Sequence, residues 1–133
     1  MSYAAERNAI CGRFDAVWAG RTPVAWPNQS FTVPTATEWV RLTIVNAAVK
    51  RMTLGNPGAN VHRHNGVITV QVFAPIDSGT HTARDLADQA AEIFRNQRFD
   101  GIRCDTASVV EVGSEDVWYQ VNMSCAFRRD ELL

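Results

Sequence analysis

With 133 residues the chain has the size of one domain, residues 1–133, and enough length to bury a core without metal or disulfide staples. Hydrophobic residues make up 46% and charged residues 20%, which excludes a disordered composition, and no apolar run is long enough to cross a bilayer. A formal net charge of −1 gives no field for non-specific nucleic-acid binding, and the opening MSYAAERN, with Glu6 and Arg7 inside it, lacks the pattern of an export signal.

Ser2 is placed to cap a first helix on which Tyr3, Ile10, Phe14, Val17 and Trp18 fall at helical spacing, ending before Gly20 and Pro23. The three prolines of PVAWPNQSFTVP, Pro23 to Pro34, predict an extended surface path pinned by Trp26 and Phe31 rather than by a regular ladder. Glu38 to Val45 then alternates. Val40, Leu42 and Ile44 share one face of a strand, and Trp39, Arg41 and Thr43 share the other. Val49 to Leu54 reads as a second strand and Gly66 to Ala74 as a third. Between them GNPGANVHRHN supplies turn residues for a protruding β-hairpin with a mobile tip.

Pro75 and Gly79 break that pattern, and Thr80 or Thr82 can cap a second helix with Leu86, Ala87, Ala90, Ile93 and Phe94 on one face. Two further strands are expected, about 101–112 and 116–127, joined at Gly113 to Glu115. In the last of them Val117, Tyr119, Val121, Met123, Cys125 and Phe127 keep an unbroken two-residue period, the mark of a strand with one face on a core. The order predicts an α+β fold: a mainly antiparallel, mixed sheet with two helices packed on one face.

Chemistry is sparse. Cys11, Cys104 and Cys125 are odd in number and widely spaced, which suits buried reduced thiols better than disulfides. Asp85, Asp88 and Glu92 share a helix face that Arg84 and Arg95 neutralise, and GNPG lacks the spacing of a phosphate-binding loop. His62 and His64 would point to one side of a strand, so a small metal-dependent enzyme using His62, His64 and His81 is the alternative from a different class. No nucleophile, base and orienter assemble in the sequence, so no catalytic residue, metal or cofactor is expected.

Charge is distributed unevenly. From Glu38 to Ala74 the chain carries Arg41, Lys50, Arg51 and Arg63 against a single acid, while Asp105, Glu111, Glu115 and Asp116 stand together with no base among them. Opposite patches on one small unit suit head-to-tail assembly. Trp39 and Trp118, on the polar faces of their strands, are expected as exposed partner contacts.

Taken together, MSYAAERNAICGRFDAVW, PVAWPNQSFTVPTATEWVRLTI, LGNPGANVHRHNGVITVQVFAP, TARDLADQAAEIFRNQRF and WYQVNMSCAFRRDEL resemble the small tail terminator-like proteins of long-tailed phages and prophages, in collinear order over nearly the whole chain. The resemblance implies a non-enzymatic virion protein, made in the host cytoplasm and carried in the virion tail. It would form a ring, expected to be a hexamer, at the head-proximal end of the tail tube, stopping tube polymerisation and offering a surface to the head–tail connector proteins. Its partners would be other copies of itself, the tube protein and the connectors, with no membrane and no specific nucleic acid. Another head–tail joining or tail-tube component is the nearest rival. By position, Arg41, Lys50, Arg51, Arg63, His64 and Trp118 are the candidates for subunit or tube contact.

Overall fold

The computed structural model describes residues 1–133. Helix α1 spans Tyr3–Trp18: the Ser2 hydroxyl accepts from the Ala5 N–H at 3.1 Å, and Ala19, in the left-handed region, ends it by donating its N–H to the Asp15 carbonyl. Its buried stripe is Glu6, Ile10, Phe14 and Trp18, with Cys11 beside it. Steps of four residues overshoot a helical turn by roughly 40°, so the stripe winds around the helix. Tyr3 and Val17, expected on the buried face, therefore lie off it and are about half exposed.

Six strands follow: β1 (Val24–Ala25), β2 (Trp39–Arg51), β3 (Val61–Pro75), β4 (Arg98–Phe99), β5 (Ile102–Glu115) and β6 (Trp118–Leu132), with α2 (His81–Phe94) between β3 and β4. The sheet order is β1-β2-β3-β6-β5-β4, antiparallel except for the short parallel pairing of β1 with β2. This is the expected mixed α+β architecture. The prolines at 23 and 27 leave room for the two-residue ladder of β1, Val24 on Val40 and Ala25 on Arg41, which the expected ladder-free path did not include.

The two strands expected at 38–45 and 49–54 are one. A bulge between Asn46 and Val49 absorbs an extra residue, since Asn46 pairs with Gly66 and Val49 with His64, leaving Ala47 and Ala48 opposite Asn65 alone. The β5–β6 turn also moves, to Asp116–Val117, with Asp116 at φ 57°; Gly113, at φ 112°, sits in a bulge instead. Asp100 and Gly101, both at positive φ, close the tight β4–β5 hairpin.

Both helices cover one face of the sheet. There Ile10, Phe14 and Trp18 of α1 and Leu86, Ala90 and Phe94 of α2 meet Val40, Leu42, Ile68, Val70, Met123 and Cys125 in one continuous core. The β2–β3 hairpin is tied at its base by Asn60, whose backbone exchanges two hydrogen bonds with Leu133 and whose Oδ1 accepts from the Asn56 N–H.

Gly66 faces this core beneath the Phe127 ring. A Cβ there would lie 2.6 Å from Phe127 Cζ and 2.8 Å from the Val45 carbonyl oxygen. Gly66→Ala is expected to destabilise the protein by about 1–3 kcal/mol in urea denaturation, whereas Gly12→Ala, with open space around it, removes helix flexibility and is expected not to destabilise.

Candidate functional site

The inward alternation of β6 continues past Phe127, so Arg129 and Glu131 also turn to the helix side. Arg129 is 1% exposed and donates from Nε to Glu6 Oε1 at 2.7 Å. Its Nη1 donates to the Met1 carbonyl at 2.5 Å and to Glu131 Oε2 at 3.1 Å. Asn46 donates to the other Glu6 oxygen at 2.8 Å, and the Tyr3 ring lies 4.9 Å from the guanidinium. The first helix and the last strand are thus clamped by a buried ion pair. An i+4 stripe through Glu6 and an unbroken two-residue period through Arg129 were the signals for it in the sequence.

His64 belongs to this clamp. Expected on a contact surface, it is instead 4% exposed and faces inward, with Nδ1 3.2 Å from the Tyr3 hydroxyl and Nε2 3.3 Å from Glu131 Oε2. His62 shares its face of β3, but His81 starts α2, and no three His, Cys, Asp or Glu side chains gather into a set that could hold a metal ion.

The other candidates separate into two groups at opposite ends of the sheet. Lys50 and Arg51 stand exposed on the hairpin stem, and Lys50 pairs across to Arg63, whose guanidinium meets Asp130 at 2.9 and 3.1 Å. This end is further basic because Arg98, Arg103 and Arg128 sit directly opposite one another on neighbouring strands, and with Arg63 they line a cavity of about 480 Å³. Like charges so placed repel.

Arg41 and Trp118 lie at the other end. There the sheet face away from the helices carries an aromatic cluster: Trp39 stacks on Phe73 at 4.1 Å, meets Trp118 edge-on at 6.0 Å and is covered by Phe31. Trp39 is only 3% exposed, contrary to the expectation of an exposed residue, because the 26–38 loop brings Phe31 over it. Arg41 rests on Trp39 and Phe73, 5.3 and 5.7 Å from the ring centres. Glu115 and Asp116 border the same cleft. Of the acidic run, Glu111 is engaged from α2 by Arg84 at 2.7 Å.

Residues 7–124 match the sequence model of the family described as "Phage tail terminator protein". The chain belongs to the phage tail terminator family. That family is a structural one, so this terminator has a structural role in the phage tail, associated with tail and head components. A solved structure superposes with a TM-score of 0.72 at 26% identity, covering 97% of this chain and 96% of that one. No curated protein matches.

Two expectations follow from the clamp. Arg129→Met strands the Glu6 carboxylate and is expected to cost about 3–5 kcal/mol in chemical denaturation, with most of it recovered in Glu6→Leu/Arg129→Met. Burial, reinforced by the Arg129 charge, holds the His64 imidazole below its ordinary 6.5 against the pull of Glu131 and Glu6. Only the unfolded chain then takes up that proton readily, so stability is lost as pH falls below 6.5. The hydrogen bond from Arg129 holds Glu131 below its ordinary 4.5, adding a second loss as pH falls further. The denaturation midpoint is expected to drop between about pH 7 and about pH 5, and His64→Gln to flatten that interval while sparing the lower one. A wild-type midpoint constant over it would contradict the assignment.

Proposed function

We propose that this terminator acts as a single 133-residue domain that closes into a ring, a hexamer, on the head-proximal end of the tail tube. The ring ends tube polymerisation and presents its other side to the head–tail connector proteins, in the host cytoplasm during assembly and then in the virion tail. Family membership over residues 7–124 supports the setting, and the observation that carries the assembly is the polarity of the sheet. Lys50, Arg51 and Arg63 mark one end, and Glu115 and Asp116 mark the other, beside Arg41 and Trp118.

Unlike patches held at opposite ends of the molecule suit head-to-tail association, and such a contact either closes into a ring or grows into a fibre. Closure lets individually weak contacts hold together, because each copy is retained by two neighbours. Charge at the rims sets register and rejects wrong partners more than it adds affinity, which is what an end cap needs on a tube of repeating subunits.

The protein is expected to be monomeric or weakly associated alone and to form closed rings at high concentration or on tube ends. Arg63→Glu removes a solvent-screened pair with Asp130 of the kind that adds little to stability, so the fold should be retained while ring formation is impaired. Sedimentation and electron microscopy of wild type and variant test this. Normal rings from Arg63→Glu would remove the hairpin stem from the contact.

A further inference from the structure

We propose that the cleft floored by Trp39, Phe73 and Trp118 receives the β2–β3 hairpin tip of a second copy of this chain, with Leu54 as its apolar anchor. This rests on the head-to-tail ring above and names its two surfaces.

On one side of the contact stands the hairpin. Leu54 is 74% exposed, Met52 is half exposed, and Lys50 and Arg51 precede them on the same arm. An apolar side chain held out at a tip beside two cations matches a pocket that is apolar at its floor and acidic at its rim.

The cleft has that form. It encloses about 290 Å³ over Trp39, Phe73 and Trp118, with Glu115 and Asp116 along its border and Arg41 at its side. A second hollow, sharing Val33 and Arg41 with it, extends it toward Trp26 and Phe31. Trp39 also leaves one polar group unpaired. Its indole Nε1 is buried and has no hydrogen-bond acceptor in the chain, although buried indole N–H groups ordinarily find one. An inserted Leu54 covers the exposed ring faces that floor the cleft. Trp and Arg side chains in such desolvated pockets are where interface energy concentrates.

The chain cannot satisfy its own cleft. Arg63 at the hairpin stem and Phe73 at the cleft are ten positions apart on one continuous strand, about 33 Å at the rise of an extended chain, and the tip points farther away. The occupant is therefore another copy. Every copy presents both surfaces, so the contact repeats around the ring until it closes.

Leu54→Asp disables the tip and Glu115→Lys disables the rim, and each substitution lies on exposed surface. Both variants should keep the wild-type circular dichroism spectrum and self-associate roughly 10-fold or more weakly in sedimentation. Mixed, they should form a two-copy complex that grows no further, because the Leu54→Asp copy retains its cleft and the Glu115→Lys copy retains its tip. In the complex the Trp39 indole N–H resonance should shift. Leu54→Asp that assembles at wild-type strength with an unmoved Trp39 signal overturns this contact and leaves the ring standing. Leu54→Asp that self-associates normally but fails to bind tube ends assigns the tip to the tube protein and also overturns it. Wild-type protein that never associates, alone or on tube ends, overturns both the contact and the ring.

Discussion

The central ladder between β3 and β6 governs everything else in this molecule. Fifteen positions pair in strict register from Val61 on Leu132 to Pro75 on Trp118. Because side chains alternate across a sheet, that register sends Ile68, Val70, Val72, Val121, Met123 and Cys125 to the helices and their neighbours to the opposite face. It also fixes the distance between the two tips. The β2–β3 hairpin extends beyond one end of the ladder and the Asp116–Val117 turn beyond the other, so basic and acidic surfaces are held apart by a rigid strand pair.

Two devices fix the register of that ladder. The Phe127 ring occupies the space that any side chain at position 66 would need, and the Arg129 guanidinium reaches Glu6 on a helix at the far end of the sequence. A slip of one residue would expose Arg129 and leave Glu6 buried without its counter-charge. A buried ion pair adds little net stability because desolvation offsets most of its attraction, but an unpaired one is costly. The clamp therefore discriminates against wrong pairings more than it strengthens the right one. It also places an imidazole, His64, where its proton is disfavoured, which makes this end of the molecule the acid-sensitive one.

The sheet has two unlike faces. One is closed by helices, whereas the other carries polar side chains along most of its length and an aromatic cluster at one end. The charged and aromatic features that are left uncovered lie on the ends and the helix-free face. The long strands next to the edges are bulged, β2 once and β5 twice, and beyond the two-residue cover of β1 and β4 those bulges twist them away from indiscriminate strand pairing.

Periodicity carried the helices, the alternating strands and the α+β class, because burial on one face imposes a period of 3.6 or 2 wherever an element packs on a core. It also placed the basic and acidic runs along the chain. It did not show that 38–54 is one strand, since Asn46, Ala47 and Ala48 are poor strand formers and a bulge leaves no apolar signature. It hid Arg129 and His64 from the core because a polar residue at an inward position is tolerated only if distant partners satisfy it, and those partners are Glu6 and Tyr3 on α1. Arg41 and Thr43 on the same strand face suggest an exposed Trp39, yet Phe31, Phe73 and Trp118 converge on it from separate segments. Local spacing, then, determined which elements form and which way their faces turn. Only the packed chain decided which side chains meet across long sequence separations, because burial and charge compensation at a point depend on whatever the fold brings there.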